Sequence, residues 1–327
     1  MSRIFMDGFE SGDTGLWNTV SGASVNTLAG KDGNYCVSIP STYAYMIKQI
    51  SSTSELYVSL KYYCGDFTGK AIITFFEGAI VHCCLMHING LLYAYLYDVP
   101  FGNSSIPKII VSTWCQIEIY VKIANSDGRF TVKVNGIACI DYTGDTQNGG
   151  TGVIDSFKVG YQAHSALNGY AFCYMDNIIV DNANWIGSSS IQGLAVTGAG
   201  NSAQFDPSAG SNYQCVDEIP PSDADYISTN TPNEIDTYAC GNLTGTINSV
   251  KAVQVQARCM QEGSPAVPKI QLVTRPTSTD RVSASKSVQT FTPGAVSNIW
   301  ELNPDDSAAW ESADVNGMEI GVKAVAS

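Results

Sequence analysis

The chain has 327 residues, of which 44% are hydrophobic, 14% charged and 10% aromatic. That is enough apolar material for one or two sizeable cores, and at about 100–200 residues per domain the expectation is two domains. The balance of 17 basic against 30 acidic residues, net −13, argues against nucleic acid and anionic membranes as partners, because both demand clustered Lys and Arg.

Charged residues fall well below the roughly 25% of ordinary soluble domains. Gly, Ser, Thr and Asn fill the gap. That composition disfavours long solvated helices and favours short strands joined by polar turns. The opening Met1-Ser2-Arg3-Ile4-Phe5-Met6-Asp7 has too short an apolar stretch for a signal peptide, and Asp7 and Glu10 interrupt it. No run of about 18 apolar residues follows, so no span of a bilayer is expected. The expectation is a protein made in a cytoplasm and kept soluble.

Strand patterns then succeed one another. Leu56–Tyr63, Ala71–Phe76 and Leu91–Tyr97 are apolar and β-branched or aromatic. Gln116–Ile123 alternates polar and apolar. Asn125-Ser126-Asp127-Gly128 turns the chain into Arg129–Val134, which alternates again: a β-hairpin with Asp-Gly at its tip. Asn135-Gly136 leads into Ile137–Asp141. Strands spaced by about 8–12 residues, each with one apolar face, predict two sheets packed face to face. Helix signals are nearly absent. The ten cysteines, Cys36, Cys64, Cys83, Cys84, Cys115, Cys139, Cys173, Cys215, Cys240 and Cys259, lie mostly inside such runs. They are expected to be reduced thiols acting as small hydrophobes, and no Cys-x-x-Cys pair offers a zinc scaffold.

The pattern changes near residue 186. Ser188-Ser189-Ser190 and a Gly/Ser/Ala/Asn-rich stretch follow, which reads as the entry to a second domain. We therefore expect an all-β protein of two β-sandwich domains, 1–186 and a smaller 187–327. The first part carries 10 basic and 15 acidic residues, net −5; the second carries 7 and 15, net −8. No basic residue occurs from Tyr213 to Val250, and six acids fall between Asp217 and Asp236, so this segment reads as exposed acidic loops. Strands resume at Ser249–Arg258 and Lys269–Arg275, and the chain closes with Val315–Val325.

Asp7-Gly8-Phe9-Glu10-Ser11-Gly12…Trp17 and Met175-Asp176-Asn177-Ile178 are the informative local signals. First and last strands of a sandwich often lie side by side, which would bring Asp7 or Glu10 near Asp176. Calcium wants several oxygens, so Asp7, Glu10 and Asp176 are candidates for a structural calcium site. The other reading makes them turn acids hydrogen-bonded to backbone.

These segments, with Trp114-Cys115-Gln116-Ile117-Glu118-Ile119 and the Val134-Asn135-Gly136 turn, resemble the concanavalin A-like lectin/glucanase superfamily and its jelly-roll carbohydrate-binding relatives. The resemblance implies a jelly roll for the first domain, with a Glu near the start and an Asp in the last strand holding calcium; Glu10 and Asp176 match in type and place. The second part, with Phe205-Asp206-Pro207, Val216-Asp217-Glu218-Ile219-Pro220-Pro221, Trp310-Glu311 and Val315-Asn316-Gly317-Met318-Glu319, extends the resemblance to a group of tailed-bacteriophage virion proteins. That resemblance implies a particle component, a head-surface or capsid-decoration protein that contacts capsid or tail subunits and forms homo-oligomers. The alternative it implies is a tail or fibre module that binds host glycans.

An enzyme is not expected. The paired acids of retaining glucanases, spaced Glu-x-Asp-x-x-Glu, are absent, and Glu118 reads as a solvent-facing strand residue. His82 and His87 flank Cys83 and Cys84, but on a strand they have opposite parity and point to opposite faces. Tyr57, Tyr62 and Tyr63 are candidate sugar-stacking residues. Tyr93, Tyr95 and Tyr97 share one strand face by parity, which makes them a ligand surface, a subunit contact or core.

Overall fold

A computed structural model describes residues 3–27, 33–40, 43–66, 69–104, 106, 108–163, 172–263 and 267–326. The chain divides into two compact units. The first holds Met1–Glu10 and Trp17–Ile191, and the second holds Ser11–Leu16 and Gln192–Ser327. The first thus keeps five residues beyond the expected boundary at 186, and a short piece of the opening motif belongs with the second. Both units are built from antiparallel strands, and among the described residues no helix is long and apolar enough to cross a membrane.

In the first unit the strands are β1 (Arg3–Asp7), β2 (Thr19–Ser21), β3 (Ser24–Asn26), β4 (Cys36–Ile39), β5 (Tyr45–Thr53) and β6 (Glu55–Cys64). They continue with β7 (Lys70–Glu77), β8 (Ile80–Ile88), β9 (Leu91–Leu96), β10 (Val99–Asn103) and β11 (Cys115–Lys122). The last are β12 (Gly128–Val134), β13 (Ile137–Gly144), β14 (Ile154–Gly160) and β15 (Cys173–Asp181). One sheet has the order β13-β12-β11-β6-β15-β4-β3, with β1 added beside β15; the other runs β10-β9-β8-β7-β14-β5-β2.

The two sheets pack face to face over the apolar side chains that their strands turn inward. From β6, Leu56, Val58, Leu60 and Tyr62 point inward and are buried, as are Ile117, Ile119 and Val121 of β11. Rings meet across the interlayer: Phe75 and Phe130 at 6.4 Å and Phe5 and Phe157 at 5.9 Å between centroids. Burying such side chains contributes about 1.5–3 kcal/mol each, which is what holds the layers. The cysteines follow the same logic. Seven of the ten are buried and three half-buried, and burial pushes the Cys115 and Cys173 thiols up to about 12.

The second unit holds β16 (Val196–Ala203), β17 (Asp206–Pro207), β18 (Ile227–Ser228), β19 (Ile235–Cys240) and β20 (Val253–Cys259). It is completed by β21 (Lys269–Arg275), β22 (Arg281–Val282), β23 (Lys286–Ser287), β24 (Gly294–Trp300) and β25 (Glu319–Val325), with a short helix, α1 (Ser312–Gly317), before the last strand. A sheet of order β16-β19-β25-β21-β22, with β23 on β21, is accompanied by the β20–β24 ribbon and the β17–β18 pair. Val253, Trp310, Val315 and Met318 form its apolar cluster.

Of the six acids between Asp217 and Asp236, five are exposed or half-buried, as expected, and the sixth is not. Asp236 is fully buried in β19. Its carboxylate accepts the N–H groups of Gln204 and Phe205, the Asn212 amide at 2.6 Å and the Tyr238 hydroxyl at 3.0 Å.

Candidate functional site

β1 and β15 lie side by side, with Asp7 opposite Ile178. The chain leaves β1 through a left-handed residue, Phe9 (φ 59°). Asp7 makes that turn possible: its Oδ1 accepts the Phe9 N–H at 2.7 Å and its Oδ2 accepts the Trp17 indole N–H at 2.8 Å. The buried Phe9 ring then stacks on Trp17 at 6.5 Å. Glu10 accepts the N–H groups of Asn34 and Tyr35 at 3.0 and 3.2 Å, and Asp176 accepts that of Asn177 at 2.6 Å. Among the described residues no group of three or more His, Cys, Asp or Glu is placed to hold a metal ion. Calcium needs oxygen lone pairs converging on one point. Here the oxygens of Asp7 face the Phe9 and Trp17 N–H groups, and those of Glu10 face the N–H groups of Asn34 and Tyr35.

Tyr93, Tyr95 and Tyr97 are not brought together as one stripe. β9 ends at Leu96, and Tyr97 takes a left-handed backbone (φ 52°) in the turn to β10. Its N–H donates to the His82 carbonyl at 2.9 Å. The turn ends the strand, and strand parity ends with it. Tyr95 is buried against Ala71, Cys84 and Met86, with Tyr93 beside it at 6.3 Å.

The two described histidines are also separate. His82 Nδ1 accepts the Asn148 N–H at 3.1 Å, so its Nε2–H faces Glu77 at 3.2 Å. Glu77 also accepts the Thr151 hydroxyl and N–H and the Gly152 N–H. These donors, the Thr151 hydroxyl first, hold its carboxyl down to about 2. His87 lies in the interlayer. Its Nε2 accepts the Gly90 N–H at 3.0 Å, and its Nδ1 is 3.4 Å from the Tyr62 hydroxyl. Burial holds it down to about 4. His164 lies outside the described residues.

The outward face of the β11-β6-β15 region carries a different cluster. Half of it is closed by the chain's own segment after β15. Asp181 accepts the N–H groups of Ala183 and Asn184, which turns the segment back over the sheet. Trp185 then lies against Tyr57 and Tyr120, which stack at 4.5 Å, and the Lys133 ammonium sits 3.5 Å from the centre of the Trp185 ring. The Gly187 N–H donates to Glu118 at 2.9 Å, and the Gln116 amide donates to the Gly187 carbonyl at 2.6 Å and to Ser59 at 3.0 Å. Glu118 is therefore only 5% exposed, not the solvent-facing residue that strand parity predicts. Parity fixes its side of the sheet and says nothing of the segment that covers that side.

Among the described residues no segment crosses the other half of this face. Tyr63 stands between Trp114 at 5.6 Å and Tyr174 at 5.7 Å, and Phe172 follows Tyr174 at 5.9 Å. Tyr63 and Tyr174 are directly opposite in the β6–β15 register, and Trp114 immediately precedes β11, so the four rings run across three adjacent strands. Phe172 is 40% exposed and the other three are half-buried. A Cβ on Gly65 would fall 1.7 Å from the Phe172 ring, so only glycine lets that ring lie on β6's end. The Trp114 indole N–H finds no acceptor among the described residues. Of this strip only Tyr63 is singled out by the sequence reading. Trp114 and Tyr174 were findable by parity, being outward on the same alternation as Glu118 and opposite to Cys173 and Met175.

No protein-family model matches the chain, and no curated protein matches it in sequence. Solved structures do. Alginate lyase Aly36B is 14% identical with a TM-score of 0.37, over 46% of this chain and 81% of that one. Alginate lyase vAL-1 from Chlorella virus is 16% identical with a TM-score of 0.38, over 56% and 99%. The receptor binding domain of botulinum neurotoxin mosaic serotype C/D is 11% identical with a TM-score of 0.36, over 68% and 63%. At these identities the likeness concerns the fold alone, in keeping with the antiparallel all-β architecture of this chain. It corrects one expectation. Enzymes, the alginate lyases, are among the proteins of this fold, so the chain cannot be set down as a non-enzyme on its fold and one missing motif. The missing glucanase acids exclude one arrangement of catalytic groups, not catalysis.

Proposed function

We propose that the first unit binds carbohydrate along the aromatic strip Trp114–Tyr63–Tyr174–Phe172. The observation that carries this reading is the run of four rings across three neighbouring strands. Flat apolar faces suit the C–H faces of sugar rings, and polar atoms at their edges suit hydroxyls. The resemblance to tailed-bacteriophage virion proteins supports a setting for that activity. There the chain is a homo-oligomeric particle component, on the head surface or the tail, that attaches the particle to surface glycans.

The test is a glycan array followed by titration calorimetry of the best ligand. The Tyr63→Ala and Trp114→Ala variants are expected to lose about ten-fold or more in affinity, the size of a buried aromatic anchor. Binding that is unchanged in both variants, or an array with no ligand, would overturn the reading. Quantitative mass spectrometry of purified particles checks the setting: absence of the chain from them removes it and leaves the glycan reading standing.

A further inference from the structure

The second unit contains a cavity of about 780 Å³ between the β20 strand and the β19-β25-β21 face of the larger sheet. Its floor is apolar: Val255 and Ala257 from β20, Ile270 from β21, and Ile320 and Val322 from β25. Tyr226, 55% exposed, and Met260, 44% exposed, stand at its mouth. A space of this size with an apolar floor is of the range that takes small organic ligands.

Its charged lining residues are five acids and one base. Asp206, Glu218, Asp223, Asp225 and Glu262 line it, and the one basic residue among its lining residues is Arg258. Arg258 is already committed, since its guanidinium donates two hydrogen bonds of 2.7 Å to Asp223. The other four acids line the cavity, and Arg258 is the one cation among the lining residues. A hydrogen bond between Glu218 and Asp225 needs a proton on one of the two carboxyl groups; an organic cation beside them would take that proton's place and let both ionise.

We propose that this cavity binds an organic cation, its ammonium or guanidinium on Glu218 and Asp225 and its apolar body along Val255, Ala257 and Val322. An anion is disfavoured by the acids, and a purely apolar ligand leaves the charge unanswered. The same chemistry is available from a free amphipathic amine or from a basic side chain between apolar neighbours in a peptide.

Calorimetric titration of the full chain with octylammonium, octanol and octanoate tests the proposal without any variant. Octylammonium is expected to bind about ten-fold or more tightly than the other two. Equal binding of octanol, or no binding of octylammonium at millimolar concentration, would overturn it. The Glu218→Gln/Asp225→Asn double variant keeps shape and removes charge; it should lose the preference for octylammonium while still binding octanol. A double variant that keeps the preference would also overturn the assignment. The peptide acetyl-Leu-Arg-Leu-amide separates the sources. Tighter binding than octylammonium identifies a basic peptide segment as the ligand, and weaker binding identifies a small amine.

Discussion

Asp7 and Trp17, ten residues apart, are joined by a 2.8 Å hydrogen bond from the indole to the carboxylate. The same carboxylate holds the Phe9 N–H. The Asp-Gly-Phe-Glu motif is thereby a device for closing the first loop of the sandwich around a buried aromatic pair. Asp7→Ala strands two donors, each costing about 1–3 kcal/mol when left unsatisfied in the interior. The expected loss is about 2–4 kcal/mol in urea unfolding of the first unit, followed by Trp fluorescence. Asp7→Asn, which still accepts through one oxygen, should lose less. An Asp7→Ala protein as stable as wild type would show that the motif does not hold the loop.

His87 makes the first unit sensitive to acid. Its folded-state value, about 4, lies below the 6.5 of the free side chain, because burial disfavours the imidazolium. The unfolded chain binds a proton as pH falls through 6.5 and the folded one does not until about 4. Stability should therefore be full above about pH 6.5 and decline between 6.5 and 4, by about 3 kcal/mol at about 1.4 kcal/mol per pH unit. Urea midpoints measured across that window check this. His87→Gln should flatten the decline, and a wild-type profile already flat from 7 to 4 would contradict it.

Asp236 is the corresponding node of the second unit. Replacing it with Ala takes the acceptor from the Gln204 and Phe205 N–H groups and the Tyr238 hydroxyl, while the Asn212 amide keeps the Phe205 carbonyl. A loss of more than about 3 kcal/mol is expected for a buried carboxylate with several donors. Hydrogen exchange should speed up at the Gln204 and Phe205 amides before it does at β25. Unchanged protection there would mean the loop is held by other contacts.

Glu118 should govern the segment that crosses the sheet. Glu118→Ala removes the acceptor of the Gly187 N–H without touching the aromatic strip. Faster exchange at the Gly187 amide and a red-shifted Trp185 emission are the expected outcomes. If both stay as in the wild type, the stacking of Trp185 on Tyr57 and Tyr120 suffices to hold the segment.

Much of the architecture was legible in the chain because it is local. The hairpin at Asn125–Gly128 joins β11 to β12 as its turn residues predict, and Val81–Ile88 is the strand its apolar run predicts. The shared face of Tyr93, Tyr95 and Tyr97 is broken at its last member for a local reason of another kind, while Tyr95 is core, one of the three readings. A left-handed residue at position 97 ends the strand, and a non-glycine there carries no composition signal. The aromatic strip was harder to see. Tyr63, Trp114 and Tyr174 come from three strands far apart in sequence, and no window of residues contains them together.

The alternation of apolar and polar residues by itself determined that β6, β11 and β12 are strands and which of their residues face the interior. That follows because a strand's side chains must alternate and only one side can be dry. Only the tertiary structure decided what became of the other side. Gln116 and Glu118 are sealed because a glycine about seventy positions later, Gly187, arrives over them. Tyr63 is half-buried, and no described segment crosses it. Periodicity records the direction in which a side chain points, whereas its cover depends on contacts between distant parts of the chain, which no local pattern contains.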